Sequence, residues 1–123
     1  MMKHNDFLKG GMVSVWVGNF GSDIELDDYI NLDRRFEQDF GFELNDRNMP
    51  ETVVKDAPVS IAELVEGFSW SDSYATAVAD LAKAQGVGEA TTMVVFLNFN
   101  YQPERAKPKE TQLLRFLGAV RFS

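Results

Sequence analysis

The side chains in this 123-residue chain that could do chemistry are mainly carboxylates, because cysteine is absent and histidine occurs once, as His4. Without cysteine there are no thiolate nucleophiles, disulfides or zinc–thiolate sites. A single histidine also argues against a Ser-His-Asp triad and against multi-histidine metal sites. The composition therefore identifies no catalytic residue and no cofactor.

Carboxylates alone could hold a divalent cation or form a glycosidase pair, and Asp23, Asp27 and Asp28 lie close together in sequence. Ca²⁺ and Mg²⁺ need several oxygen ligands that converge on one point. Neighbouring helical residues such as Asp27 and Asp28 diverge by about 100° around the helix axis. No spacing singles out a pair across a cleft. We expect no metal site, and a small hydrolase that uses Asp and Glu alone is the least favoured alternative.

The acidic residues are concentrated in one segment of the chain. Between Ser22 and Asp46 there are nine acids and two bases, a local net charge of -7 that equals the charge of the whole chain. Such a segment produces a directed negative field, which disfavours nucleic acid and speeds encounter with a basic partner. One interpretation is an ordinary solvated helix face. The other is a docking surface for a partner, formed by Asp23, Asp27, Asp28 and Asp33.

A strand and a capped helix must position these carboxylates. Residues 12–18 are apolar at both parities, which predicts a central strand. Ser22 followed by Glu25 is a capping box, so we expect a helix over residues 23–32. Its buried stripe should be Leu26, Tyr29 and Ile30, which leaves Asp23 and Asp27 facing water.

The rest of the chain alternates helices with apolar strands. We expect either a short helix followed by a strand or irregular structure over residues 34–44, then a connecting loop over 45–58. Further helices are predicted over 59–66 and 72–85, and further strands over 92–99 and 113–122. The last strand should place its even-numbered residues on the core and leave Arg115 and Arg121 exposed.

This order of elements predicts an α+β fold. The sheet should be small and mainly antiparallel, with a strand, then helices, then a C-terminal β-hairpin, and with helices packed on one face. We expect residues 12–123 to form a single domain, and we interpret residues 1–11 as a flexible N-terminal leader. No apolar run reaches the length of a membrane span, and residues 1–11 do not read as a signal peptide, so we expect a cytoplasmic protein that binds no membrane.

Glycine and aromatic residues mark two other places of interest. The Gly18–Gly21 turn could cradle a phosphate, but the acids that follow it would repel one, so a structural turn is favoured. Trp16 and Trp70 sit where core aromatics would, with contact to a partner as the alternative. The basic residues near Lys107 are diluted by Glu104 and Glu110, which does not favour nucleic-acid binding.

The opening strand and turn read Val13-Ser14-Val15-Trp16-Val17-Gly18-Asn19-Phe20, followed by Ser22 and the acidic helix through Tyr29. These residues resemble the immunity protein 22 family of bacterial polymorphic toxin systems. It implies a non-enzymatic α+β protein that binds and neutralises a cognate toxin domain and has no catalytic residues. Because the family's members have different toxin partners, its shared motif residues are expected to hold the fold: Trp16, Gly18, Asn19 and Phe20.

Two functional hypotheses follow. The leading one is an immunity protein whose acidic surface docks a basic toxin domain, such as a nuclease. The alternative is a small-ligand-binding or housekeeping domain with an aromatic-lined pocket formed by Trp16, Phe20 and Trp70.

Overall fold

Two long apolar strands form the centre of the sheet, as the sequence predicts. The computed structural model describes residues 1–45, 50–110 and 112–122, and in it β2 (Leu8–Gly18) pairs antiparallel with β5 (Glu89–Phe99). Val13, Val15 and Val17 lie opposite Leu97, Val95 and Met93. These facing pairs of apolar side chains stabilise the ladder at the middle of the fold.

Four antiparallel strands make the main sheet, in the order β4-β5-β2-β6. β4 (Glu51–Ser60) and β6 (Leu114–Arg121) are its edge strands. The two-residue strands β1 (Met2–Lys3) and β3 (Phe42–Glu43) pair parallel beside it. The α+β class and the mainly antiparallel sheet are therefore confirmed.

Helices cover both faces of the sheet, so the expectation of helices on one face is wrong. One face packs on α3 (Ile61–Val65) and α4 (Ala75–Ala84), through a mainly aliphatic layer. The other packs on α1 (Asp23–Asp27), the π-helical turn Asp28–Leu32 and α2 (Arg35–Phe40), through an aromatic layer around Trp16. Both parities of the central strands are apolar, and each parity needs a layer to bury it.

The prediction of a C-terminal β-hairpin is also wrong, because β2 lies between β5 and β6 in the sheet. After β5 the chain makes the short helix α5 (Pro103–Ala106) and crosses to the far edge of β2. The register of β6 shifts between Val15 and Trp16. This irregularity buries Leu117, which strict alternation would expose, while Arg115 and Arg121 are exposed as expected.

Residues 34–44 take the helix-then-strand form, with α2 followed by β3. The predicted loop over 45–58 is wrong from Glu51 onward, where β4 begins; its residues 46–49 lie outside the described part of the chain. β4 has few buried side chains and contains Pro58, so its pattern resembles a loop. Pairing with β5 makes it a strand.

Within residues 1–11, interpreted from the sequence as a flexible leader, the structure forms short elements and buries two side chains, although most of the others are exposed. β1 leads into the 3₁₀ turn His4–Phe7, and β2 already begins at Leu8. His4 and Phe7 are buried against the rings of Phe42 and Phe99. This aromatic contact is the physical reason for the difference, because it removes apolar ring surface from water.

Candidate interaction surface

The acidic helix begins at a cap that the sequence predicts. Ser22 Oγ accepts a hydrogen bond from Glu25 N at 3.2 Å, as an N-cap side chain does. The Glu25 carboxylate accepts from Gly21 N at 2.9 Å rather than from Ser22 N, so the reciprocal half of the box is displaced by one residue. The cap fixes where α1 starts and therefore which side chains face water.

The four predicted partner-binding carboxylates all lie on α1, the π-helical turn and the residue that ends it. Asp23, Asp27 and Asp33 are exposed and Asp28 is half-buried. The predicted stripe of Leu26, Tyr29 and Ile30 is buried, with each side chain at 3% exposure or less. We call the exposed side of residues 23–33 the acidic helix surface.

Two large apolar side chains lie on the acidic helix surface, and sequence reasoning missed both. Ile24 and Leu32 are each 73% exposed. Single exposed apolar residues are common on protein surfaces. Many binding surfaces, however, also consist of an apolar centre with a polar rim. The sequence did contain a signal for their exposure, namely their position on the polar side of the predicted helix.

The second half of the acidic helix surface is a π-helix, in which Asp33 N donates to Asp28 O at 2.7 Å. π-helical turns are rare and occur frequently at functional sites. Next to this turn, a cavity of about 340 Å³ separates α1 from the start of β4, lined by Asp23, Asp27, Pro50 and Thr52 among others. The acidic helix surface therefore reaches the sheet edge.

Two other acids of the segment point inward. Glu37 is 5% exposed and bonded to Arg34, and its Oε2 also accepts from Leu44 N at 2.7 Å. These hydrogen bonds, above all the one from Arg34, hold the pKa of Glu37 below its ordinary value. Asp39 is also 5% exposed and accepts from Tyr29 Oη at 2.6 Å, while burial, together with this bond, raises the tyrosine pKa. These two carboxylates are buried and hydrogen-bonded within the fold.

The motif residues make their contacts within the fold. Trp16 is fully buried, with its ring centroid 5.3 Å from that of Phe36 and 5.6 Å from that of Phe40. Gly18 is required by close approach, because a Cβ there would lie 2.8 Å from the Leu113 carbonyl oxygen. The next two residues bond to the start of β5.

These bonds connect the end of β2 to β5. Asn19 Oδ1 accepts from Thr91 N at 3.2 Å, and Phe20 N donates to Thr92 Oγ1 at 3.1 Å. The Phe20 ring lies 5.2 Å from the Tyr29 ring, which ties the turn to the acidic helix. In this structure the turn is therefore connected both to β5 and to the acidic helix.

The three aromatic residues proposed to line a ligand pocket do not come together. Trp16 is buried in the aromatic layer and Phe20 is half-buried beside Tyr29. Trp70 is 65% exposed on the side of the sheet that carries α3 and α4, so its expected place in the core is wrong. The aromatic-lined pocket is not formed.

The sequence matches the family described as Immunity protein 22 over residues 13–123. The chain belongs to that family. The match begins in β2, the strand that carries Trp16, and extends through β6. Neither the curated proteins nor the solved structures gave a match.

Membership of the Immunity protein 22 family implies a non-catalytic inhibitor role, with a toxin protein as the partner. Within residues 1–45, 50–110 and 112–122, no group of three or more His, Asp or Glu side chains could hold a metal ion. No helix in the same ranges has the length and apolar character of a membrane span.

Proposed function

We propose that this chain neutralises a cognate toxin domain of a bacterial polymorphic toxin system by docking the acidic helix surface onto a basic face of that domain. The observation that carries the proposal is that Asp23, Asp27 and Asp33 are exposed on the same short helical segment as Ile24 and Leu32. Charges at the rim speed encounter, and apolar groups at the centre slow dissociation once water is excluded. The same surface would thus contribute to both fast association and slow dissociation.

The chemistry favours a nuclease as the partner. A nuclease gathers cationic side chains where it binds phosphates, so a row of carboxylates would be attracted to the same place. Occupying that place blocks substrate, and the immunity protein needs no catalytic group of its own. Because nucleic acid is the toxin's target in this proposal, the complex would form in the cytoplasm.

Cell survival is the first test. The toxin-like domain encoded next to this gene is induced with and without this chain, and the two proteins are then co-purified. We expect rescue together with a stable complex. Toxicity that this chain does not relieve contradicts the proposal.

Association kinetics test which surface is used. The double substitution Asp27→Lys with Asp28→Lys should slow association with the toxin domain by about tenfold or more at low ionic strength, because steering by charge is lost. The charge-matched control is Asp80→Lys with Glu110→Lys, two exposed acids outside the acidic segment. Circular dichroism should be unchanged for both pairs. Equal rate constants for the two pairs would remove the acidic helix surface from the interface.

A further inference from the structure

Trp70 is an exposed tryptophan in an unfavourable backbone conformation. It lies between α3 and the 3₁₀ turn Ser71–Ser73, with 65% of its surface exposed. Its φ is 62°, in the left-handed region that residues with a bulky side chain rarely adopt. The exposure of the indole and the positive φ both raise the free energy of the folded state. Strained residues of this kind cluster at functional sites.

The backbone around Trp70 is held on both sides by hydrogen bonds. Ser69 N donates to Glu51 Oε1 at 2.9 Å, and Ser69 O accepts from Tyr74 Oη at 2.9 Å. On the other side, Ser71 Oγ donates to Glu66 O at 3.1 Å and Ser73 N donates to Trp70 O at 2.9 Å. The indole is therefore presented from a fixed backbone, which lowers the entropy lost when a partner orders it.

Trp70 lies across the sheet edge from the acidic helix surface. Glu51, which holds Ser69, is the first residue of the edge strand β4, and the next residue, Thr52, lines the cavity shared with Asp23 and Asp27. The loop of Trp70 belongs to the α3 side of the sheet, and α1 belongs to the other side. A body that lies across the start of β4 would meet both.

The surroundings of Trp70 have the same sign of charge as the acidic helix surface. Glu66 and Asp72, which precede and follow it closely in sequence, are exposed, and residues 50–73 contain five acids and one base. The face of an indole attracts cations, and tryptophan is the strongest aromatic partner for arginine and lysine. An exposed indole in an acidic stretch of the chain suits a cationic side chain, whose apolar stem the ring could cover.

We propose that Trp70 is the anchor of the toxin interface: the toxin domain lies across the β4 edge, places an arginine or lysine side chain on the indole, and contacts the acidic helix surface on the other side. This inference rests on the proposed function and adds a second contact to it. Tryptophan and arginine are the side chains most enriched at the centres of interfaces. The carboxylates of the acidic helix surface then govern the association rate, and Trp70 slows dissociation further than Ile24 and Leu32 do alone.

Fluorine NMR of the complex gives a direct test. The chain is produced with 5-fluorotryptophan at both of its tryptophans, and the Trp70 signal is assigned with Trp70→Phe. On addition of the neighbouring-gene toxin domain, the Trp70 signal should shift while that of buried Trp16 stays in place. An unmoved Trp70 signal in a formed complex overturns the inference.

Dissociation rates give the second test. Trp70→Ala should raise the dissociation rate constant by about 30-fold or more, the effect of an interface hot spot, with the association rate near that of the parent. Trp70→Asn should do the same while keeping a side chain that tolerates positive φ. The control is Leu113→Ala, which removes a 49% exposed apolar side chain that precedes the opposite edge strand.

The outcomes separate the two proposals. Parental dissociation rates for both Trp70 variants, with slower association for the Asp27 and Asp28 pair, overturn this inference and leave the proposed function standing. Fast dissociation for Trp70→Ala alone, with Trp70→Asn like the parent, assigns the effect to backbone conformation and also overturns it. Failure of the parent chain to bind the toxin domain overturns the proposed function and this inference with it.

Discussion

The acidic segment between Ser22 and Asp46 has two halves, and their carboxylates have opposite surroundings. In the first half, α1 and the π-helical turn hold Asp23 and Asp27 out in water. In the second half, α2 carries Glu37 and Asp39 inward, where each accepts a short hydrogen bond from the fold. The net charge counted along the sequence therefore overstates the negative charge at the surface, because Glu37 and Asp39 are buried and hydrogen-bonded inside the protein.

Local backbone geometry explains why the second half turns inward. Arg34 takes a left-handed conformation, with φ of 54°, directly before α2. Phe36 and Phe40 are then buried one helical turn apart, and Glu37 and Asp39, next to them, lie at the border of the core. A carboxylate at such a border is tolerated only where donors meet it, which Arg34 and Tyr29 supply.

The largest expected effect concerns the aromatic layer beneath the second half. Trp16→Ala should lower the free energy of unfolding by about 3–5 kcal/mol, because it leaves a cavity under Phe36 and Phe40. Urea denaturation measures the change. Val15→Ala, at the neighbouring position on the other face of the sheet, removes only two methyl groups in place of a whole indole ring and should cost less. A Trp16→Ala chain within 1 kcal/mol of the parent by the same measurement would contradict the assigned packing.

A smaller effect is expected from the tyrosine that meets the buried carboxylate. Tyr29→Phe removes the hydroxyl that donates to Asp39 and should lower the free energy of unfolding by about 1–3 kcal/mol, the cost of a buried charged acceptor left without its donor. Tyr74→Phe is the matched control, because its hydroxyl donates to a neutral carbonyl oxygen, that of Ser69. The comparison fails if both substitutions have the same cost.

The first half of the segment could be predicted from the sequence, and the second could not. Ser22, Glu25 and the stripe of Leu26, Tyr29 and Ile30 are local signals, and they place the exposed carboxylates correctly. The inward turn of Glu37 depends on donors that only the folded chain brings close, such as Leu44 N. Local patterns do not encode such contacts.

The same division holds for the sheet and for Trp70. The central strands are apolar at both parities and were predictable, whereas β4 is an exposed edge strand that only its pairing with β5 defines. The order β5-β2-β6 is set by the crossing chain and not by the two strands it joins. Trp70 is exposed and has a positive φ, and its residue type indicates neither property.

The smallest expected effect is that of Glu37→Gln on the free energy of unfolding. Its pH dependence distinguishes the buried carboxylates of the second half from the exposed ones of the first half. Glu37→Gln should cost about 1–2 kcal/mol at pH 7, because the pair with Arg34 loses its charge. The fold holds the pKa of Glu37 below its ordinary value of 4.5, so the unfolded chain takes up this proton first as the pH falls. The stability that Glu37 supplies is thus complete above pH 4.5 and is lost as the pH falls through the pKa of the folded state.

Asp27→Asn is the matched control from the first half. Asp27 is exposed, so its substitution should change the free energy of unfolding by less than about 0.5 kcal/mol. Urea denaturation at pH 7 and at steps below pH 4.5 should show the parent and Glu37→Gln converging as the acid protonates, with Asp27→Asn following the parent at neutral pH. Convergence that fails to occur would mean that the Glu37 charge does not stabilise the fold. A large loss for Asp27→Asn would mean that the acidic helix surface holds the fold together and is not free to meet a toxin.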